Sequence, residues 1–150
     1  MIDIKITIHA DRAIRRLSRI RKTLPNLRPF WQIEVKTFLR DEFLKVFRSN
    51  GRGTWLPTKR SNPILRDTRK LFSSYTNAGG MGNINRANRD RYIYGSSIAY
   101  AATHEYGDRR RNIAARPVKG LVITKRGFNR QLSRLADTWI SRRIRRFRNG

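Results

Sequence analysis

The run Tyr92-Ile-Tyr-Gly-Ser-Ser-Ile-Ala-Tyr-Ala-Ala-Thr-His-Glu-Tyr-Gly107 decides how the rest of the chain is arranged. Aromatic and β-branched residues in 91–95 predict a strand, which a Gly-Ser-Ser turn ends. Small and apolar residues at three- and four-residue spacing in 98–106 then predict a short helix that ends at Gly107. Arg116-Pro117 begins a new extended segment, because a residue before proline is pushed out of the helical region.

The N-terminal part of the sequence predicts a strand followed by two helices. Residues 2–8 alternate between isoleucine and polar residues, which is typical of a half-buried strand. Asp11 is placed to cap a helix whose apolar stripe ends at Leu24. Apolar residues then recur at three- and four-residue steps from Pro29 to Ser49, and this predicts a long core helix.

The remaining segments predict loops, short elements and a last helix. Trp55 is expected to anchor the irregular segment 54–66, and Asp67 or Thr68 to cap a short helix. The loops 50–66, 77–90 and 108–116 are expected to be mobile, with 77–90 as a hairpin tip or an insertion between strands. Residues 121–123 are predicted to form a strand, after which Thr124 opens the final helix.

Taken together, these elements predict one α+β domain over residues 1–150. A small antiparallel sheet should pack against the long core helix, with a strand at the N-terminus and a helix at the C-terminus. The sequence has no run of about 18 apolar residues, so no membrane-spanning helix is predicted. The absence of cysteine excludes disulfides and thiolate chemistry, and it fits folding in a reducing cytoplasm.

Charge is the most unusual property of the sequence. The chain has 35 Lys plus Arg against 10 Asp plus Glu, a formal net charge of +25, and 27 of the 35 cations are arginine. Arginine presents a planar fork that suits phosphates and carboxylates. A domain with this charge repels itself, so a polyanionic or acidic neighbour is expected, which could be DNA, RNA, an anionic membrane or acidic protein subunits.

No catalytic, metal or cofactor site is predicted. His104-Glu105 starts like the zinc motif H-E-x-x-H, but Asp108 stands where its second histidine would be. Ser96-Ser97 has no identifiable base beside it and suits a turn. Glu34 and Lys36, which are two residues apart on a helix, do not face each other. The sequence therefore predicts a non-enzymatic protein.

Six short signatures, in order, resemble the virion morphogenesis family of tailed bacteriophages, which comprises neck and tail-completion proteins. The similarity covers roughly residues 43–121 and departs from the family pattern at Arg69, where glycine is usual, and at Val118, where an aromatic is common. The signatures are Trp55-Leu-Pro, Leu65-Arg-Asp-Thr68 with Leu71, Tyr94-Gly95-Ser96, Tyr100-Ala101, His104-Glu-Tyr-Gly107 and Arg116-Pro117.

The resemblance implies a structural subunit of the head–tail junction, assembled in the host cytoplasm, that forms a ring of six or twelve copies. Its partners would be the portal or adaptor and the tail tube or sheath, with packaged DNA as a further contact. Residues at the signatures are the candidates for subunit interfaces: Trp55, Asp67, Thr68, Tyr100, His104, Glu105, Tyr106, Arg116 and Pro117.

Two arginine clusters are candidates for contact with DNA or an acidic partner. They are Arg109, Arg110 and Arg111, and Arg142, Arg143, Arg145, Arg146 and Arg148. Several phosphate contacts would give binding a steep dependence on salt. The charge alone therefore supports an alternative function, a small basic nucleic-acid-binding protein or an RNA-cleaving toxin.

Overall fold

A three-stranded antiparallel sheet and five helices make up the described part of the chain, which is residues 4–9, 26–57, 65, 69–89 and 91–148 of the computed structural model. The predicted α+β class is confirmed. The strands are β1 (Ile4–His9), β2 (Asn83–Ala87) and β3 (Arg91–Ser96). The helices are α1 (Arg28–Phe30, a π-helical turn at Trp31–Val35, then Lys36–Arg48), α2 (Lys70–Thr76), α3 (Ala101–Tyr106), α4 (Lys119–Ile123) and α5 (Phe128–Arg148).

The predicted strand at 91–95 is the centre of the sheet. The strand order is β1-β3-β2, and Tyr94 of β3 lies opposite Ile6 of β1 and Asn85 of β2. Gly95 is required here, because a side chain at this position would overlap the backbone of Ile4 on the neighbouring strand. The central strand thus joins the N-terminal strand to the hairpin formed with β2.

Helix α1 covers one face of the sheet, as the apolar periodicity predicts. Trp31 stacks on Tyr92 with 6.3 Å between ring centroids, and Phe43 stacks on Tyr94 at 5.9 Å. Helix α5 packs against α1 through two further pairs, Phe30 with Trp139 at 5.5 Å and Phe38 with Phe128 at 5.6 Å. The aromatic residues therefore form the core between the sheet, α1 and α5.

Two predictions on the C-terminal side are wrong. Residues 121–123 belong to helix α4 and not to a strand, because three adjacent apolar residues fit a buried helix turn as well as a strand. Thr124 does not open the last helix. It ends α4, where its hydroxyl donates to the carbonyl of Gly120 at 2.7 Å, and α5 begins at Phe128.

Two further predictions need correction. Residues 77–90 contain strand β2, although asparagine and arginine are poor strand formers, because pairing with β3 supplies its backbone hydrogen bonds. Helix α2 begins at Lys70, and its N-cap residue is Arg69 in place of Asp67 or Thr68, both of which lie outside the described residues. The predicted helix after Asp11 also lies outside them. The mobility of the three loops stays a prediction.

Candidate assembly site

Three of the signature segments, far apart in sequence, meet at one place in the fold. The indole N–H of Trp55 donates to the carbonyl of Pro117 at 3.0 Å, across 62 residues. The Arg116 guanidinium donates to the carbonyl of Leu56 through both Nε and an Nη atom, at 3.3 Å each. The Arg116 backbone N–H donates to the carbonyl of His104 at 2.6 Å. We call residues 55–57, 100–107 and 116–120 the signature junction.

Glu105 holds the junction together by capping helix α4. The side chain of Glu105 is buried, with 7% of its surface exposed. Its Oε2 accepts the backbone N–H groups of Val118 at 2.8 Å and Lys119 at 3.0 Å, and its Oε1 accepts that of Gly120 at 2.7 Å. The first N–H groups of a helix have no partner within the helix, so a carboxylate from elsewhere in the chain satisfies them.

His104, next to this cap, is a packing residue in the fold. Its ring is perpendicular to that of Tyr100, with 5.8 Å between the centroids. Burial, and secondarily the charge of Arg116, lower the pKa of His104 below its ordinary value. Its Nδ1 is buried and has no hydrogen-bond partner among the described residues. The carboxylate next to it in sequence, that of Glu105, is occupied by the three backbone N–H groups at the start of α4.

Two large apolar side chains of the signature junction are exposed. Leu56 is 59% exposed and Tyr106 is 64% exposed, whereas Trp55 and Glu105 are buried below them. The ammonium group of Lys119 lies 5.9 Å from the centroid of the Tyr106 ring, a cation–π geometry. The junction is therefore a hydrogen-bonded frame that presents large apolar side chains to the exterior.

A left-handed turn after α1 delivers Trp55 to the junction. Four consecutive residues, 50–53, have positive φ angles, from 46° at Asn50 to 77° at Gly53. Gly51 is the position where this conformation also requires close contact, since a methyl group there would overlap the Trp55 indole. The sequence Asn50-Gly-Arg-Gly53 thus does more than end α1, because its shape fixes where Trp55 lies.

The same turn carries Arg52 to a second buried carboxylate, Glu42. Glu42 is 1% exposed and accepts hydrogen bonds from Lys45 at 2.9 Å, Arg52 at 3.3 Å and Lys125 at 2.9 Å. Burial alone would raise the pKa of Glu42, but the hydrogen bonds and charges of Lys125 and Lys45 outweigh it and hold that pKa below its ordinary value. We call Glu42 with its three cations the Glu42 network.

The sequence reasoning missed the Glu42 network, although one signal was present. Glu42 lies in the buried stripe of α1, three residues after Leu39 and four before Val46. A charged residue within an apolar stripe is almost never fully buried unless it is paired. The presence of a partner was thus predictable, but its identity was not, because Lys125 is 83 residues away in sequence.

The two arginine clusters have different environments. Arg111 is already bound within the subunit, where its Nε donates to Asp108 at 2.7 Å and an Nη atom donates to Thr103 at 3.1 Å. Arg109 and Arg110 are exposed beside it. In the C-terminal cluster, Arg142 pairs with Glu34 at 3.2 Å.

The other four arginines of the C-terminal cluster lie further along α5. The guanidinium of Arg143 lies 5.9 Å from the centroid of the Trp139 ring, and Arg145, Arg146 and Arg148 are exposed. The junction and this cluster are therefore separate features of the subunit.

Of the interface candidates, the structure brings Trp55, Tyr100, His104, Glu105, Tyr106, Arg116 and Pro117 together in the junction. Asp67 and Thr68 lie outside the described residues. Their neighbour Leu65 is half-buried and packs against the core.

No family model, curated protein sequence or solved structure matches this chain. Among the described residues, no helix is long and apolar enough to cross a bilayer, and no group of three or more histidine, aspartate or glutamate side chains is placed to hold a metal ion. The resemblance to the phage family therefore rests on the short signatures alone.

Proposed function

We propose that this chain is a structural subunit of the head–tail junction of a tailed bacteriophage or a related particle, where a ring of copies joins the portal side of the capsid to the tail. The observation that carries the proposal is the convergence of three signature segments in one hydrogen-bonded junction. The contacts of Trp55 with Pro117 and of Leu56 with Arg116 join signatures that lie about 60 residues apart in sequence.

The physical character of the junction suits a protein interface. A frame fixed by Glu105 and Arg116 keeps its shape before binding, which lowers the entropic cost of association. The exposed Leu56 and Tyr106 are of the apolar and aromatic type that dominates the centre of interfaces. The junction has no convergent nucleophile, acid and base, so the proposal is for a non-enzymatic protein without a cofactor.

A ring requires a heterologous interface, in which the junction of one copy contacts a different surface of the next and the rotation closes. The family resemblance supports a hexamer or a dodecamer. On this proposal the ring contacts the portal or adaptor on one side and the tail tube or sheath on the other. The chain would be found in the virion after assembly in the host cytoplasm.

The oligomeric state of interface variants tests the proposal. Purified wild-type protein should form rings, measured by size-exclusion chromatography with light scattering and seen by electron microscopy. Replacing Leu56 and Tyr106 together by serine should give monomers, because each interface anchor contributes about 2 kcal/mol or more. The combined loss weakens association by about 1000-fold. Both side chains are exposed, so the variant should fold normally.

Met81→Ser is the matched control for this experiment. Met81 is 75% exposed and lies in the turn before β2, outside the junction. Its replacement removes one exposed apolar side chain outside the junction and should leave the ring intact. A wild-type chain that stays monomeric at high concentration, together with its absence from purified particles by immunogold labelling, would overturn the proposal.

A further inference from the structure

The last two turns of helix α5 extend beyond the core of the subunit. Ala136, Trp139 and Ile140 are buried, whereas all the described side chains after Ile140 are exposed, whichever side of the helix they occupy. A helix packed along its length would keep one buried stripe. We call residues 141–148 the distal segment.

The distal segment carries a large excess of positive charge. It contains five arginines and no acidic residue. Arg142, at its base, pairs with Glu34, and Arg143 lies over the Trp139 ring. The remaining three, Arg145, Arg146 and Arg148, have no ion pair with any described residue. Arginines three and four apart on a helix repel one another, so an anionic ligand would relieve a destabilising arrangement.

The density of this charge matches that of a nucleic acid. At a rise of 1.5 Å per residue, Arg145, Arg146 and Arg148 span about 4.5 Å of the helix axis, or about one positive charge per 1.5 Å. Duplex DNA carries one negative charge per about 1.7 Å of its axis. An acidic protein would need about three carboxylates within about one helical turn to match these arginines, and such a cluster would repel itself.

We propose that the distal segment binds the phosphate backbone of nucleic acid without regard to base sequence. Arginine forks donate two hydrogen bonds to phosphate oxygens, and contacts of this kind position a protein without reading the bases. The inference goes beyond the function proposed above, because it depends only on the exposure and charge of the distal segment. It also separates the two clusters, since Arg111 of the other cluster is already bound to Asp108.

Binding of a fluorescein-labelled 20-base-pair duplex, followed by fluorescence anisotropy at several salt concentrations, tests the inference. The variant replaces Arg145, Arg146 and Arg148 by glutamine. Each lost phosphate contact reduces the log–log salt slope by about 0.9, so the slope should be about 2.7 smaller. When the salt concentration rises from 50 to 200 mM, the fold loss of affinity should therefore be about 40 times smaller for the variant than for the wild type.

The matched control replaces Arg86, Arg109 and Arg110 by glutamine. These arginines are exposed and have no ion pair with a described residue, and their removal changes the net charge equally. The log–log salt slope of the control variant should differ from that of the wild type by less than about 1. Equal slopes in the two variants would mean that the charge acts globally, and this would overturn the assignment to the distal segment.

Two further measurements separate the possible partners. Duplexes of unrelated sequence should bind equally, and polyglutamate of equal charge should compete at least tenfold more weakly than unlabelled duplex. Competition by polyglutamate at equal concentration would overturn the nucleic-acid assignment in favour of an acidic protein. Circular dichroism of all variants should be unchanged, because every substituted side chain is exposed. Ring formation is measured separately, so failure of either proposal leaves the other open to test.

Discussion

Two buried carboxylates hold neighbouring parts of this protein together by different physical means. Glu105, in the signature junction, accepts three backbone N–H groups of one helix. Glu42, in helix α1, accepts three cationic side chains from three segments. Both are almost fully buried, with 7% and 1% of their surfaces exposed. They differ in the hydrogen-bond donors that would be left without an acceptor if the carboxylate were removed.

The partners of Glu42 are the ends of charged side chains that reach solvent, whereas those of Glu105 are backbone N–H groups, of which that of Val118 is buried. The side chains of Lys45, Arg52 and Lys125 are 66%, 33% and 23% exposed, so water can solvate them after the carboxylate is lost. The backbone N–H of Val118 is buried and cannot move to water without unfolding α4. A buried donor left without a partner costs about 1–3 kcal/mol. We therefore expect the carboxylate with neutral partners to matter more for stability.

The largest effect is expected for Glu105→Ala. The substitution leaves three N–H groups of α4 without an acceptor, and it should lower the free energy of unfolding by about 3–4 kcal/mol. Urea denaturation followed by circular dichroism measures the change. Glu34→Ala is the control, because among the described residues Glu34 forms one ion pair, with an exposed arginine, and its loss should cost less than about 1 kcal/mol. Similar losses in both variants would show that the cap does not stabilise the fold.

The next largest effect is expected at Gly51. This residue lies in the turn that places Trp55 in the signature junction and Arg52 in the Glu42 network. Gly51→Ala combines a left-handed backbone with overlap against Trp55, and it should cost about 3 kcal/mol. Gly53→Ala shares the positive φ angle but meets no atom within 4 Å, so it should cost only about 1 kcal/mol. Thermal unfolding of the pair isolates the contact with Trp55. Equal losses would mean that the turn does not fix the position of Trp55.

The smallest effect is expected for Glu42→Gln, at about 1–2 kcal/mol near neutral pH. Because the folded state lowers the pKa of Glu42, its contribution is present above the ordinary value of 4.5 and is lost as the pH falls through the folded-state pKa. The difference in unfolding free energy between wild type and Glu42→Gln should therefore stay constant from about pH 8 to 6 and shrink below about 4.5. A difference that grows on acidification would contradict this sign.

Prediction from the sequence was most accurate where the apolar pattern was long. The alternation of residues 2–8 and the periodicity from Trp31 to Phe47 correspond to β1 and α1, and 91–95 lies within β3. Prediction was wrong for the short segment 121–123, and it was incomplete for the polar segment 77–90, where the expected hairpin region also contains strand β2. These segments take their structure from Glu105 and from β3, which lie elsewhere in the chain.

The sequence named residues of the candidate site, but it did not predict how they contact one another. Trp55, His104, Glu105 and Arg116 were named from the signatures, and the structure places them in contact. Their contacts could not be read from the sequence, because no local pattern places Glu105 at the start of α4. Their role at a subunit interface stays a prediction. The Glu42 network was missed, since its cations come from residues 3 to 83 positions away.

The amino-acid sequence by itself determined the fold class, the main core helix, the central strand and the excess of arginine. Each follows from composition or from the local spacing of apolar residues, which fixes the face that an element buries. Only the tertiary structure decided that α4 is a helix, that the signature segments form one junction and that the distal segment stands clear of the core. These features depend on which distant segments supply hydrogen-bond partners to buried polar groups. The local spacing of residues carries no information about those partners.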